Sequence, residues 1–151
     1  MDSTLEVNAL DEALVRGGVY KLLAKSFLYP TSNVVEEIQR MHSSQVTDRA
    51  DLEREYNRLF AHLGSAKCPP YETEYGHDNV FQKTQAMADI AGFYRAYGLE
   101  VSDHNTDRVD FLGTELEFMS YLCLQEAYAR EHHEDEHLEI CLDTQRKFMK
   151  D

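Results

Sequence analysis

The sequence predicts an all-α fold, a single-domain bundle of about six helices. Apolar residues recur at steps of three and four rather than two, no internal repeat is present, and the periodic stretches end at Pro30, Gly64 and Gly98. At 151 residues and 42% hydrophobic content, such a chain buries roughly two thirds of the surface its unfolded form exposes, enough for one core.

Leu10, Leu14, Tyr20, Leu23 and Phe27 mark the first helix. Tyr29-Pro30 ends it, because the residue before a proline is pushed out of the helical region. The Gly17-Gly18 pair weakens this helix locally. Asn33, with Glu36 three residues later, is the expected cap of a short second helix carrying Val34, Ile38 and Met41. Leu52, Tyr56, Leu59, Phe60 and Leu63 share one face of a third, stopped at Gly64. Periodicity then collapses between Ser65 and Asp78, where Pro69-Pro70 forbids regular helix and predicts an ordered, extended loop. The fourth helix runs from about Phe81 or Thr84 through Met87, Ile90, Phe93, Tyr94 and Tyr97, with Gly98 as its left-handed stop. After a polar linker containing Asp103-His104-Asn105, the fifth spans roughly Arg108 to Ala129. Its two adjacent apolar stripes, Phe111, Phe118 and Leu122 beside Leu112, Leu116, Met119 and Cys123, predict a central element. A charged hinge from Arg130 to Glu136 leads to a sixth helix carrying Leu138, Ile140, Cys141, Leu142 and Phe148.

Charge narrows the functional classes. Fifteen Lys and Arg against 28 Asp and Glu leave a formal net charge of −13, which repels nucleic acid and anionic lipid and attracts cationic partners such as a basic peptide. The amino terminus has no basic region followed by an apolar run, and no stretch suggests stable membrane insertion, so a cytoplasmic protein is expected. Cys68, Cys123 and Cys141 form no C-x-x-C pair, which argues against a disulfide framework or a cysteine zinc site, and the last two read as small core residues.

His133-Glu134-Asp135-Glu136-His137 matches H-E-x-x-H, in which two histidines one helical turn apart bind zinc and the glutamate is a general base. It is embedded in the charged run from Arg130, which reads as a solvated hinge. A metal-dependent hydrolase using His133, Glu134 and His137 is therefore the alternative reading, and no metal or other cofactor is expected. Glu74 with His77 and Glu134 with His137 also have E-x-x-H spacing, but the first pair spans Gly76 and follows two prolines, which defeats a di-iron bundle.

Two other features suit a peptide. The Pro69–Gly76 loop has a low ordering cost and offers Tyr71 and Tyr75 as amphipathic rings, either as a wall for an extended segment or as plugs of the bundle. Asp110, Thr114, Glu117 and Tyr121 follow at steps of four, three and four, predicting a polar stripe that either pairs with another helix or receives a guanidinium group.

Four blocks occur in order: Tyr56-x-x-Leu59-Phe60; Pro69-Pro70-Tyr71-Glu72-Thr73-Glu74-Tyr75-Gly76; Phe93-Tyr94-Arg95-Ala96-Tyr97-Gly98-Leu99; and Asp107 to Met119. In these the chain resembles the TorD-like chaperones, which include the delta subunits of molybdenum oxidoreductases. The resemblance implies an all-helical, non-enzymatic chaperone that binds the apo catalytic subunit of a molybdopterin oxidoreductase, or its twin-arginine leader, and delays export until the cofactor is inserted. It implies a monomer or domain-swapped dimer. Carried over by position, its peptide-binding surface comprises Phe27, Leu59, Phe60, Pro70, Tyr71, Asp110 and Phe111. Val109 and Phe111 depart from the proline and histidine common in the family's Arg-Pro-Asp-His segment, which puts a polar contact by that histidine in question. The family also usually continues through further helices beyond the position of Asp151, so the expected bundle lacks them or is completed by a neighbour.

Overall fold

A computed structural model describes residues 3–42, 48–60, 68–76, 79–102 and 108–150. Among the described residues six α-helices follow one another: α1 (Ser3–Ser26), α2 (Ser32–His42), α3 (Arg49–Phe60), α4 (Val80–Ala96), α5 (Leu112–Glu131) and α6 (Asp135–Phe148). Between α3 and α4 the proline loop contains a one-turn 3-10 helix, Glu72–Glu74. Among the described residues the strand-like pairing is one antiparallel bridge, Tyr71 with Phe111. Leu63 and Gly64, His77, and the Asp103-His104-Asn105 linker lie outside the described residues.

Helix α5 is central, as its two apolar stripes predict. Phe118, Met119 and Leu122 form the core with Ile90 and Tyr94 of α4, and Tyr20, Tyr97 and Phe148 pack against it. Phe148 brings α6 in, its ring 5.0 Å from Phe118 and 5.3 Å from Phe93 in edge-on geometry, the arrangement aromatic quadrupoles favour.

Helix α1 corrects the sequence reading. From residue 8 onward its buried positions are Ala13, Gly17 and Ala24, while Leu14 and Leu23, expected on the core face, are exposed. The large residues gave the periodicity, but the small ones make the contact. A β-carbon on Gly17 would stand 3.3 Å from the Cys123 β-carbon and 3.5 Å from the Ser120 carbonyl oxygen, so this glycine sets how closely α1 approaches α5. The Ser120 hydroxyl donates to the Gly17 carbonyl at 2.8 Å. Gly17-Gly18 thus lies inside an unbroken helix, held by packing rather than propensity.

Buried Glu126 ties three helices together. It pairs with Arg16 of α1, accepts from Arg130 Nε at 3.0 Å one turn on, and accepts from Gln145 Nε2 of α6 at 2.9 Å. A carboxylate in so dry a place is tolerated only where partners satisfy its oxygens.

Other boundaries move for identifiable reasons. Thr31, not Asn33, caps α2: its hydroxyl receives the Val34 amide at 3.4 Å and its carbonyl the Val35 amide at 3.0 Å. Asn79 caps α4 by accepting from the Gln82 amide at 2.9 Å. The expected stop at Gly98 is realised in left-handed backbone, φ 68°. Helix α5 begins at Leu112 rather than Arg108, because Phe111 is extended and bridged to Tyr71.

These contacts predict opposite outcomes at adjacent glycines. Gly17→Leu should cost about 1–3 kcal/mol of stability in urea unfolding by wedging α1 from α5. Gly18→Ala, where nothing stands within 4 Å of the added carbon, should stabilise by up to about 1 kcal/mol through helix propensity.

Candidate peptide-binding site

The seven sequence-predicted residues fall in two places. Phe27, Leu59 and Phe60 lie where the end of α1 meets α3. The Phe27 and Phe60 rings are 6.0 Å apart, Tyr56 stands 5.0 Å from Phe60, and Tyr29 stands 5.2 Å from Tyr56. Beside them a groove of about 310 Å³ is walled by Leu28, Val35, Ile38, Leu52, Leu59 and Phe60, with Glu55 on its lining. It exists because α3 has no buried residue among those described, so its apolar face stays open toward α2.

Pro70, Tyr71, Asp110 and Phe111 meet at the start of α5. The Leu112 amide donates to the Pro70 carbonyl at 2.9 Å and the Glu72 amide to the Asp110 carbonyl at 3.0 Å, stitching the proline loop to the segment before α5. The Tyr71 and Phe111 rings lie 5.8 Å apart. Phe111 folds back over Gly113, where a β-carbon would come within 2.5 Å of the ring; this close approach seats the ring.

Asp110 does not lie on the predicted helical stripe. It precedes α5 and is fully buried. Its Oδ2 accepts from the Thr73 amide at 3.1 Å, the Thr73 hydroxyl at 2.7 Å and Arg108 Nη2 at 2.7 Å, and its Oδ1 accepts from Arg108 Nε at 2.9 Å. Arg108 Nη1 reaches Glu74 Oε1 at 2.8 Å, and its guanidinium carbon lies 4.6 Å over the Tyr71 ring. Lys83 of α4 holds the other Glu74 oxygen at 2.8 Å. Burial pushes the Asp110 carboxyl upward, but the bonds from Arg108 and Thr73 outweigh it and hold the group below its usual range. Sequence reasoning missed Arg108, Thr73 and Glu74. The available signal was the Arg-x-Asp spacing beside a loop carrying its own acid.

The rest of the stripe does converge. Thr114, Glu117 and Tyr121 line a cleft of about 340 Å³ with Glu100, Leu99 and Phe118. One turn into α5, Glu115 is more constrained: its Oε1 is buried with no hydrogen-bond partner among the described residues. Burial, with Glu72 and Asp110 adding negative charge, pushes its carboxyl up to about 8.

The H-E-x-x-H segment forms the α5–α6 turn. His133 is in left-handed backbone, φ 54°, before α6 begins, and His137 lies within α6 with Nδ1 3.0 Å from Glu134 Oε2. The two histidines are therefore not on successive turns of one helix, and the residues from Glu131 to Glu136 are exposed. Among the described residues no group of three or more potential ligands is placed to hold a metal, and no helix is long and apolar enough to cross a membrane.

The class of protein so defined is an all-helical bundle with an open apolar groove and a braced proline loop. The family model described as nitrate reductase delta subunit matches residues 25–151, and the chain belongs to that family. It is 30% identical over 76% of its length to a selenate reductase assembly chaperone protein from Thauera selenatis, covering 58% of that protein. It is 29% identical over 78% of its length to a chlorate reductase assembly chaperone protein from Ideonella dechloratans, covering 61% of it. The chain thus spans about three fifths of the curated relatives it matches. Its fold is shared with a crystal structure from Archaeoglobus fulgidus described as a redox enzyme maturation protein, with a TM-score of 0.59 at 20% identity, covering 89% of this chain and 94% of that one.

Glu115 gives this site a pH signature. Its folded pKa is raised, so the stability it contributes is complete below about pH 4.5 and is lost as pH rises through about 8. Glu115→Gln removes that loss. Melting temperatures should diverge in favour of the variant from pH 5 to 8 and stay apart above; parallel curves would mean that Glu115 ionises freely in the fold.

Proposed function

We propose that this chain is an assembly chaperone for a molybdopterin oxidoreductase, holding the apo catalytic subunit or its twin-arginine leader peptide in the cytoplasm and assisting cofactor insertion before export. The family match carries the reading: it covers residues 25–151, a stretch that includes every residue assigned to the peptide surface. The selenate and chlorate reductase assembly chaperones supply the client class by likeness.

The site chemistry supports this function. A leader peptide combines basic residues with an apolar run, and this chain offers a groove walled by Leu59 and Phe60 within a molecule of net charge −13. The proline loop adds Tyr71, half-buried against Phe111, and exposed Tyr75. Val80 and Phe81, both 80% exposed, begin the helix whose Lys83 grips that loop. These two open apolar side chains add to the surface available to a peptide. Phe27, Leu59, Phe60 and Tyr71 bind by apolar contact in this scheme; Pro70 and Phe111, expected on the same surface, are buried and back the Tyr71 wall, while Asp110 holds the loop in position.

Tyr71→Ala tests the assignment. Calorimetric titration with the client's leader peptide should show affinity reduced by about 1–2 kcal/mol, the range for a buried aromatic anchor, with helix content retained. Unchanged affinity together with a lower melting temperature would make the loop a structural plug and remove it from the binding surface.

A further inference from the structure

Arg108 is held as a ligand would be held. Its guanidinium makes four hydrogen bonds, to both oxygens of Asp110, to the Thr73 hydroxyl at 2.6 Å and to Glu74, and it lies over the face of Tyr71. Carboxylates on two sides, a hydroxyl and an aromatic wall are the groups that recognise an arginine by planarity and charge together. The two sides of the pair differ in access: the Arg108 side chain is 39% exposed, whereas Asp110 is fully buried.

We propose that Asp110, Thr73, Glu74 and Tyr71 form a guanidinium-binding subsite that Arg108 occupies in the free protein, and that an arginine of the bound polypeptide enters by displacing it. The identity of that polypeptide rests on the function proposed above; the exchange itself rests on the cage. The Arg108 side chain is partly exposed, so it has a way out into water once its four hydrogen bonds are taken over by another donor. Asp110 cannot follow. A buried carboxylate stripped of its cation is strongly destabilising, so Arg108 leaves only when another cation replaces it, and exchange is favoured over simple opening.

Competition from within the chain also gates the site. Arg108 is two residues from Asp110, so it competes at an effective concentration on the order of millimolar or more. Free arginine is therefore a poor ligand for the intact chain. A peptide already seated by its apolar residues presents its own arginine at a comparable local concentration and can exchange. The subsite thus rewards a polypeptide with apolar and basic segments together, and discriminates against either alone.

The test compares the full chain with Arg108→Ala, or with Arg108→Gln should the alanine variant not fold. Two probes are used: millimolar methylguanidinium, followed by thermal melting, and a synthetic leader-like peptide with two adjacent arginines beside its double-glutamine counterpart, followed by calorimetry. We expect the variant to melt below the parent, methylguanidinium to recover part of that loss while leaving the parent unmoved, and the preference for arginine over glutamine to rise by about tenfold or more in the variant, as removal of an internal competitor requires. A variant indifferent to methylguanidinium, or one whose arginine preference is unchanged or reduced, would make Arg108 a fixed brace and overturn the exchange. If neither chain binds either peptide, the proposed function fails, and the methylguanidinium response alone decides whether the cage accepts an external guanidinium.

Discussion

The burial of one carboxylate organises the proline-loop end of this molecule. Asp110 is fully inaccessible, and it is tolerated because Thr73 gives it an amide and a hydroxyl and Arg108 gives it a two-pronged guanidinium. The desolvation cost of such a group is several kcal/mol unless it is fully satisfied. The proline loop must therefore close onto the start of α5 in one register, with Tyr71 bridged to Phe111 and Pro70 to Leu112. Pro69 and Pro70 reduce the loop's entropy beforehand, and Asp110 fixes where it goes. Glu74, shared between Arg108 and Lys83, extends the same network to α4.

Behind that end stands a platform built on different principles. The α1–α5 seam relies on Ala13, Gly17 and Ala24, small residues that let the helices approach closely, and Glu126 locks α1 and α6 to α5 with Arg16, Arg130 and Gln145. By contrast, α3 leaves its apolar side open beside α2 and gives the molecule a groove. The molecule thus combines a packed centre with an open flank, where apolar residues are not consumed by its own core.

Much of this was legible in the sequence because it depends on local patterns. Six helices, a central α5, a left-handed stop at Gly98 and an ordered loop around Pro69-Pro70 follow from periodicity and punctuation. The buried face of α1 was not, because Leu14 and Leu23 outweigh alanine and glycine in any hydrophobicity pattern although the small residues make the contact. The start of α5 was misplaced because a long-range bridge from Tyr71 overrides helical propensity at Phe111. Asp110 was read as part of a helical stripe that pairs with another helix or receives a guanidinium, and spacing could not reveal that Arg108, two residues away, is its partner. H-E-x-x-H shows the opposite failure: its letters match a zinc site, while His133 ends in a left-handed turn instead of on a helix face.

The central claim is that buried Asp110 holds the proline loop as a binding wall. Native-state amide hydrogen exchange in Asp110→Asn, paired with leader-peptide affinity of the same variant, tests it most directly. The account predicts that the amides of Glu72, Thr73 and Leu112, which are bonded across the loop junction, lose protection while those of the α1–α5 seam keep theirs, and that peptide affinity falls in step. Loop amides protected as in the parent, or a peptide bound with full affinity once the loop is loosened, would contradict it.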